Sequence, residues 1–353
     1  MVLYLILLLV ICLYGMKFSS FHKDYMSVQA TTAIKGVFAI LILLSHLQQY
    51  ISLGYGIPDR AFGFTMRYLD QLIVAAYFFY SGFGIAESAR LKAGYTRGFF
   101  KKRFLKTLLH FDLAVLLFLI VQTVTGNHFE TRQYLLCWIG WENLGNSSWF
   151  IFAILALYLI TYVALLLKDR SARPDLFLAI TVSVLTAGLW LFLFLARRPD
   201  HWWYDTLAVF PAGIWFSLLK QRVDRSRLLT RISGTVLLAV SFVLWRHFVG
   251  IDPYGICAIL FILALTAVTT FVQWDNKVLQ WLGKHCFSIY MLQRLPMIIF
   301  GKTTLVHHSV VFTALTLACA LLLAWAFTAM TDRIDKRLLL TSTLNKHLTY
   351  ENA

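Results

Sequence analysis

The sequence predicts an all-α membrane protein, a polytopic helical bundle of about eleven transmembrane helices. Of its 353 residues, 59% are hydrophobic and 14% are charged, whereas about a quarter of the residues in soluble domains are charged. The hydrophobic residues are gathered into runs of about 20, the length at which a helix crosses the hydrocarbon core of a bilayer. Because a helix satisfies its own backbone in lipid, runs of this length favour membrane-spanning helices.

The candidate spans follow one another with short connections. They are residues 1–16, 31–51, 71–88, 104–124, 148–168, 176–196, 203–220, 228–249, 254–273, 279–300 and 309–330. The first run is short, and the fourth and tenth contain ionisable residues. No soluble domain, Gly/Ser-rich linker or low-complexity segment interrupts the series, so we expect residues 1–353 to form one integral membrane domain.

The formal net charge of +15 is explained by membrane topology rather than by nucleic-acid binding. Lys and Arg dominate the segments 87–106, 220–231 and 331–346, whereas the segment 125–147 is slightly acidic. Since cytoplasmic loops carry an excess of basic residues, this asymmetry predicts an external N-terminus and a cytoplasmic C-terminus. The first run lacks a basic start and precedes Lys17, which favours an anchor helix over a secretory signal.

The second span carries a polar stripe. At 100° per residue, Lys35 and His46 lie within about 20° of each other around the helix, three turns apart. Gln49 continues the same face beyond His46. Such a stripe must face protein, a ligand or a water-filled cavity. His46 is thus either a histidine satisfied by a neighbouring helix or a functional group, and a neutral imidazole can take a proton from a hydroxyl.

A cationic face is predicted at the cytoplasmic start of the fourth span. Arg103, Lys106 and His110 have the spacing i, i+3 and i+7, which places them on one side of the helix. They are either positive-inside residues with snorkelling side chains or a groove for phosphate groups. Asp112 lies deeper, where we expect it to neutralise a cation. In the third span, Ser81 precedes Gly82 and permits close helix packing or contact with a substrate.

The fifth and tenth spans supply the remaining candidates. Trp149 opens the fifth span, and taken alone it is typical of the aromatic belt at a membrane interface. The tenth span contains Tyr290, Gln293 and Arg294, and an arginine inside a span favours a functional role or a buried partner. Pro296 is expected to bend that helix.

Familiar soluble-enzyme motifs are absent from the sequence. It has no GxSxG, P-loop, GxGxxG or HExxH motif, and its cysteines show no zinc spacing. Carboxylates are scarce, so we expect neither paired catalytic acids nor a metal site. Asn146-Ser147-Ser148 matches a glycosylation sequon on the predicted outer face, but a three-residue match is weak. The outer loops show no recognisable sugar-binding motif.

In their order and spacing, five elements resemble the acyltransferase-3 family of membrane-bound acyltransferases, which O-acetylate sugars and surface glycans. They are Lys35-Gly36 followed by His46, Tyr77–Phe83, Arg103 with Lys106, Trp149-Phe150, and Leu282–Gln293. The resemblance covers about residues 28–330. It leaves the first helix as an addition to a ten-helix core and residues 331–353 as a cytoplasmic tail.

The resemblance implies an acyltransferase of the bacterial plasma membrane. The donor would be acetyl-CoA or a similar acyl-CoA arriving from the cytoplasm, and the acceptor a hydroxyl of a sugar or glycan beyond the membrane or within it. His46 would be the general base or bear the acyl group transiently, with Lys35 adding to the field. The resemblance places the phosphates of the donor at Arg103 and Lys106, and from their positions in the sequence we add His110 and Ser81 as candidate donor contacts. We expect Trp149, Gln49, Tyr290, Gln293 and Arg294 to contact the acceptor or to orient the site.

Two positions depart from the family pattern. Lys106 stands in place of a second arginine and cannot form a bidentate fork with phosphate. Gln293 stands where many members carry a second histidine, and an amide cannot carry a proton at pH 7.

Two other functions remain open from the sequence. One is a transporter or channel, against which the absence of an internal two-fold repeat and of paired broken helices counts. The other is a non-catalytic transport or sensing module built on the same fold, because a fold does not fix an activity.

Overall fold

The structure is a computed structural model that describes residues 1–248 and 254–350. It is 79% helical, which confirms the predicted fold class. The one departure from an all-helical architecture in this part of the chain is a short antiparallel pair of strands, β1 (Met16–Phe18) and β2 (Val272–Trp274), with Met16 opposite Trp274.

Sixteen α-helices follow one another along the described residues. The first eight are α1 (Val2–Leu13), α2 (Val28–Leu47), α3 (Ile57–Leu69), α4 (Leu72–Leu91), α5 (Tyr95–Phe99), α6 (Lys106–Val124), α7 (Thr131–Leu136) and α8 (Trp149–Leu167). The others are α9 (Pro174–Ala196), α10 (Val209–Arg225), α11 (Leu228–Phe248), α12 (Tyr254–Thr269), α13 (Lys277–Lys284), α14 (Cys286–Leu292), α15 (Arg294–Gly301) and α16 (Ser309–Tyr350). A π-helical segment, Phe100–Leu105, joins α5 to α6.

Seven helical segments of the described chain are long and apolar enough to cross a membrane. They contain α2, α3 with α4, α5 with α6, α8, α9, α11 and α16. Helices α1 and α12 and the pair α14–α15 are apolar but shorter. The structure therefore supports an integral membrane protein, while the full count of about eleven spans stays a prediction.

The predicted tenth span, 279–300, is divided into three helices. The last break falls at Gln293, between α14 and α15. Pro296 explains its position, because proline has no N–H to donate to Leu292 four residues earlier. Residues 331–350, most of the predicted cytoplasmic tail, continue α16 without interruption. Residues 351–353 of that predicted tail lie outside the described chain.

The helix ends meet in two groups, as alternating spans require. In the first group, the N-terminal amine of Met1 lies 3.1 Å from Asp59, and the hydroxyl of Tyr4 donates to the carbonyl of Val310 at 2.6 Å. The second group contains β1 and β2, where Lys17 pairs with Asp275 at 2.6 Å. Hydrogen bonds from Lys17 and Gln29 hold the pKa of Asp275 below its usual value. Following the predicted orientation, we call the first group the outer end and the second the inner end.

Helices α2 and α13 cross at unusually close range through two glycines. A Cβ added to Gly36 would overlap the carbonyl oxygen of Leu279, and one added to Gly283 would overlap the carbonyl oxygen of Thr32. Small residues allow such backbone approach, and van der Waals packing is the main source of helix association in lipid. Because α13 leads directly into α14, this crossing fixes the position of α14 relative to α2.

A second glycine pair joins α4 to α10. A Cβ added to Gly82 would overlap the carbonyl oxygen of Phe210, and one added to Gly213 would overlap that of Phe79. The Ser81-Gly82 step of the sequence therefore does serve close helix packing. In contrast, a Cβ added to Gly84 on the same helix would meet nothing within 4 Å.

We expect Gly82→Ala to destabilise the protein by about 1–3 kcal/mol, because the added methyl group must push α10 away from α4. The measurement is the thermal unfolding of the detergent-purified protein, read by loss of its monodisperse chromatographic peak. Gly84→Ala is the matched control and should leave stability unchanged or raise it, since alanine favours a helix over glycine by about 1 kcal/mol. Equal melting temperatures for the two variants would contradict the close crossing.

Candidate active site

His46 lies in the last turn of α2, near the outer end, and its ring faces protein. Its Nδ1 atom is 2.8 Å from the amide nitrogen of Gln293, and its Nε2 atom is 3.4 Å from the hydroxyl oxygen of Ser147. The ring of Tyr290 lies 6.5 Å away, centroid to centroid. His46, which belongs to the polar stripe predicted from the sequence, therefore faces α14 and the loop before α8.

Gln293 is completely buried at the break after α14. Its amide nitrogen donates to Nδ1 of His46 and lies 3.3 Å from the carbonyl oxygen of Tyr290, whereas its buried carbonyl oxygen has no partner among the described residues. In this orientation, Nε2 of His46 carries the proton. Rotating the amide by 180° would let its oxygen accept from Nδ1–H and free Nε2 to accept a proton. The amide of Gln293 thus selects the tautomer of His46.

Arg294 completes the cluster around Ser147. Its Nε atom donates to the Ser147 hydroxyl at 2.8 Å, and its Nη2 atom donates to the Gln49 side-chain oxygen at 2.8 Å. The hydroxyl of Tyr290 donates to the carbonyl of Ser147 at 2.7 Å. No ion pair with a carboxylate joins Arg294 within the described chain, so its positive charge is met by neutral oxygens alone.

A cavity of about 440 Å³ opens beside His46 at the outer end. Four indole rings line it, those of Trp141, Trp149, Trp202 and Trp203. Polar side chains complete the wall, among them Gln49, Asp70, Glu142, Asn143, Asn146, Ser147, Arg197, Asp200 and Arg294. Trp149 is therefore a cavity residue and not only an interfacial aromatic. Among the residues described, no group of three or more His, Cys, Asp or Glu side chains could hold a metal ion.

Arg197 holds two rings of the cavity wall in place. The guanidinium of Arg197 lies 4.3 Å from the ring centre of Trp141 and 4.6 Å from that of Trp203, and it also pairs with Glu142 at 3.3 Å. Cation–π contacts of this kind fix aromatic rings in a defined orientation.

Asp70, between α3 and α4, has φ 40° and ψ −125°, a sparsely populated conformation for a residue with a side chain. Such backbone strain is often concentrated at functional sites.

Two predicted donor residues, Lys106 and His110, lie away from this cavity and share a partner on α16. The ammonium of Lys106 lies 2.6 Å from Asp335, and Nε2 of His110 lies 3.2 Å from the same carboxylate. Asp335 belongs to the segment that the sequence assigned to a tail. The charge of Lys106 is therefore neutralised within the protein as it stands.

Arg103 and Ser81 form a separate group around Tyr158 of α8. The guanidinium of Arg103 faces the phenol oxygens of Tyr95 and Tyr158, and the hydroxyl of Ser81 lies 3.2 Å from that of Tyr158. No carboxylate of the described residues pairs with Arg103. It lies in the π-helical segment, and single π-helical turns occur frequently at functional sites.

Neither Lys35 nor Asp112 forms an ion pair with a described residue. The backbone carbonyl of Lys35 accepts a hydrogen bond from Tyr77 at 2.8 Å, and its ammonium lies near Cys286 without an ion pair in the described structure. The buried Oδ1 atom of Asp112 has no hydrogen-bond partner in the described part of the chain, and no basic side chain there pairs with it. The expectation that Asp112 neutralises a cation is therefore wrong.

An aromatic layer lies between the cavity and the Arg103 group. The ring of Phe150 lies 5.4 Å from Tyr290, 4.8 Å from Phe78 and 6.2 Å from Tyr77. Phe150 and Tyr158 are eight residues apart on α8, which corresponds to about 12 Å along its axis. The walls of the cavity include none of the described basic residues predicted to bind a donor. The two groups are therefore neighbours along the same helices but are not joined by this cavity.

The sequence analysis did not single out several residues that the structure brings to the site. They are Asp70, Trp141, Asp200, Trp202 and Trp203 in the cavity wall, Ser147 beside His46, and Asp335 beside Lys106. Tryptophans do occur together with acidic and amide residues in the outer loops of the sequence, but this pattern is shared by membrane interfaces and does not identify a cavity. Asn146 is buried, and its Oδ1 atom accepts from the backbone N–H of Leu144 at 2.9 Å, so the sequon shapes the loop and is not displayed for glycosylation.

Comparison with known proteins identifies the family. The model of the acyltransferase-3 family, described as an acyltransferase domain, matches residues 28–329, which confirms the resemblance drawn from the motifs. No curated protein and no solved structure matches the chain. The family match covers most of the sequence, and the long apolar helices agree with it. The chain therefore belongs to the acyltransferase-3 family and is an integral membrane protein of the acyltransferase type.

Proposed function

We propose that the protein transfers an acetyl or other short acyl group from acyl-CoA to a hydroxyl of a surface sugar or glycan, with His46 as the general base. The observation that carries this proposal is the position of the His46 imidazole, which borders a cavity walled by tryptophan and polar side chains. A hydroxyl bound in that cavity comes within reach of the ring, and general-base catalysis requires such reach.

The cavity wall supports a sugar as the acceptor. Indole rings offer flat apolar surfaces on which the C–H faces of a sugar ring can pack. Carboxylate and amide groups between them can hydrogen-bond the sugar's hydroxyls, and four tryptophans together with Asp70, Asn143 and Asp200 supply both kinds of contact. A volume of about 440 Å³ falls in the range of small-molecule sites.

The cluster around His46 supplies the other needs of acyl transfer. Attack of a hydroxyl on a thioester places negative charge on the carbonyl oxygen, and a preorganised cation nearby stabilises that charge. Arg294 is such a cation, because its described partners are the neutral oxygens of Ser147 and Gln49. Gln293 prepares the base when its amide oxygen accepts from Nδ1–H, which leaves Nε2 free to take the proton.

The donor is proposed to approach from the inner end. Arg103 has no carboxylate partner among the described residues and is suited to a CoA phosphate. Lys106 would join it only after leaving Asp335, and Lys35 adds positive charge on the way to His46. The acyl group would then cross the aromatic layer along α4 and α8, beside Ser81 and Phe150. This route accounts for the two separate groups of polar residues.

A non-catalytic transport or sensing module on the same fold is the second candidate. It is favoured by the separation of the cavity from the basic residues, since a module that only binds a solute needs no donor route. The two candidates differ in one observable, the release of CoA thiol from acyl-CoA.

His46→Ala should reduce the release of free CoA thiol from acetyl-CoA by about 10²–10⁴-fold, the usual contribution of a general base. The assay uses membranes or purified protein with a panel of sugar and glycan acceptors. His128→Ala removes an exposed histidine from an outer loop and should retain full turnover. Unchanged turnover in His46→Ala would remove this residue from the chemistry. Solute uptake into vesicles by a wild type that releases no thiol with any acceptor would favour the transport module.

Gln293→Leu should lower turnover by about 10-fold or more, because loss of an orienting hydrogen bond costs about 1–3 kcal/mol. Gln293→Glu should retain far more activity, since a carboxylate accepts from Nδ1–H and holds His46 in the base-competent tautomer. Both variants are to be compared in kcat and KM for the same acceptor. Equal losses in the two variants would show that hydrogen-bond acceptance at this position is not what His46 requires.

Arg103→Ala should weaken acyl-CoA binding and make the remaining affinity less sensitive to salt, because one phosphate contact is lost. Binding is measured by titrating acetyl-CoA at low and moderate ionic strength. Lys101→Ala removes an exposed cation from the same π-helical segment and serves as the matched control. Identical affinity and salt dependence for Arg103→Ala and the wild type would exclude Arg103 from the donor site.

A further inference from the structure

Ser147 is the hydroxyl group that the structure places against the proposed base. We propose that Ser147 accepts the acyl group from the donor and carries it as an ester until the acceptor hydroxyl displaces it. This inference rests on the proposed acyltransferase function and specifies the route of transfer. The protein then works in two half-reactions, one with the donor and one with the acceptor.

The contacts of Ser147 become those of an activated nucleophile once the Gln293 amide is rotated so that its oxygen accepts from Nδ1–H of His46. Its Oγ atom lies 3.4 Å from Nε2 of His46, whose Nδ1 atom lies 2.8 Å from the side chain of Gln293. A nucleophile, a base and a group that orients the base, joined in series, form the arrangement used by hydroxyl nucleophiles. A separation of 3.4 Å is long for a hydrogen bond, but such contacts commonly shorten only when a substrate is bound.

Arg294 favours the reactive form of this hydroxyl. Its Nε atom donates to Ser147 Oγ at 2.8 Å, and a hydrogen bond from a guanidinium stabilises a developing alkoxide more than a neutral donor does. The same cation lies close enough to stabilise the oxyanion of a tetrahedral intermediate formed on Oγ.

The loop before α8 holds Ser147 in place from both sides. The hydroxyl of Tyr290 donates to the Ser147 carbonyl at 2.7 Å, and Asn146 closes the preceding turn through its hydrogen bond to Leu144. Ser148, the next residue, begins α8 as its N-cap without a side-chain capping bond. Of these two adjacent serines, Ser147 is the one whose hydroxyl reaches His46.

A covalent carrier also keeps the two substrates apart in time. The cavity beside His46 opens at the outer end, whereas Arg103 and the aromatic layer lie on its inner side. Direct transfer would need both substrates at His46 at the same moment. An acyl-serine allows the donor to leave before the acceptor reacts, so the two substrates never share the site.

The acyl group is transferred in two half-reactions. In the first, Oγ of Ser147 bonds to the thioester carbonyl carbon, Nε2 of His46 takes the hydroxyl proton, and the carbon–sulfur bond breaks. The CoA thiolate then takes that proton from His46 and leaves as the thiol. In the second, an acceptor hydroxyl loses its proton to Nε2 and bonds to the same carbon. The ester bond to Oγ breaks, and His46 returns the proton to Ser147.

The test is the exchange of radiolabelled CoA into unlabelled acetyl-CoA by the purified full-length protein without any acceptor. A two-step route through an acyl-protein permits this exchange, whereas direct transfer does not. We expect exchange by the wild type and its loss by at least 100-fold in Ser147→Ala, with Ser148→Ala retaining it. Ser147→Cys should accept the acyl group as a thioester in equilibrium with acetyl-CoA, and peptide mass spectrometry after rapid quenching should locate an acetyl mass at position 147 in this variant.

Three results would overturn the proposal. One is acceptor-dependent acetyl transfer by the wild type without any exchange, which indicates direct transfer and leaves the proposed function intact. Another is undiminished exchange in Ser147→Ala. The third is an acetyl group mapped to His46 or to another residue in the wild type. If the proposed function itself is wrong, no acceptor supports any release of CoA thiol. That result differs from the three above, so the two failures can be told apart.

Discussion

The close crossing of α2 and α13 is the constraint on which the site depends. Gly36 and Gly283 let the two backbones touch, and in lipid such packing takes the place of the hydrophobic effect that drives association in water. Since His46 lies in the last turn of α2 and α13 leads into α14, the glycine contact sets the position of Gln293 relative to the imidazole. Loss of the contact between Gly36 and Gly283 in the inner half of the bundle would therefore change the distance between Gln293 and His46 at the outer end.

Lys106 and Arg294 differ in the groups that meet their positive charge. Lys106 is neutralised by Asp335, whereas Arg294 is surrounded by hydrogen-bonding oxygens that carry no net charge. A cation without a counter-ion in a low-dielectric region is costly, and it is also a strong electrostatic stabiliser of an anion that appears only during reaction. Arg294 lies beside the Ser147–His46 pair, where the proposed chemistry would use an uncompensated positive charge.

The sequence was sufficient for the membrane class, for the family and for the residues whose polarity is unusual inside a span. His46, Gln293 and Arg294 stood out because polar groups are costly in hydrocarbon unless they have a function or a partner. The structure brings all three together. The tryptophans of the outer loops did not stand out, because an interfacial tryptophan and a cavity tryptophan look alike until the loops are folded. Asp335 was missed because its partner, Lys106, is more than two hundred residues away in the chain.

The length of α16 joins its apolar part to Asp335 at the inner end of the bundle. Asp335 lies on the same continuous helix as the apolar residues that begin at Ser309, so a rotation or tilt of that rod changes which charge Lys106 faces. A displacement of this part of α16 would therefore alter the electrostatics around Lys106 and His110 without touching the cavity. Through Asp335, the last helix is coupled to the inner end of the bundle.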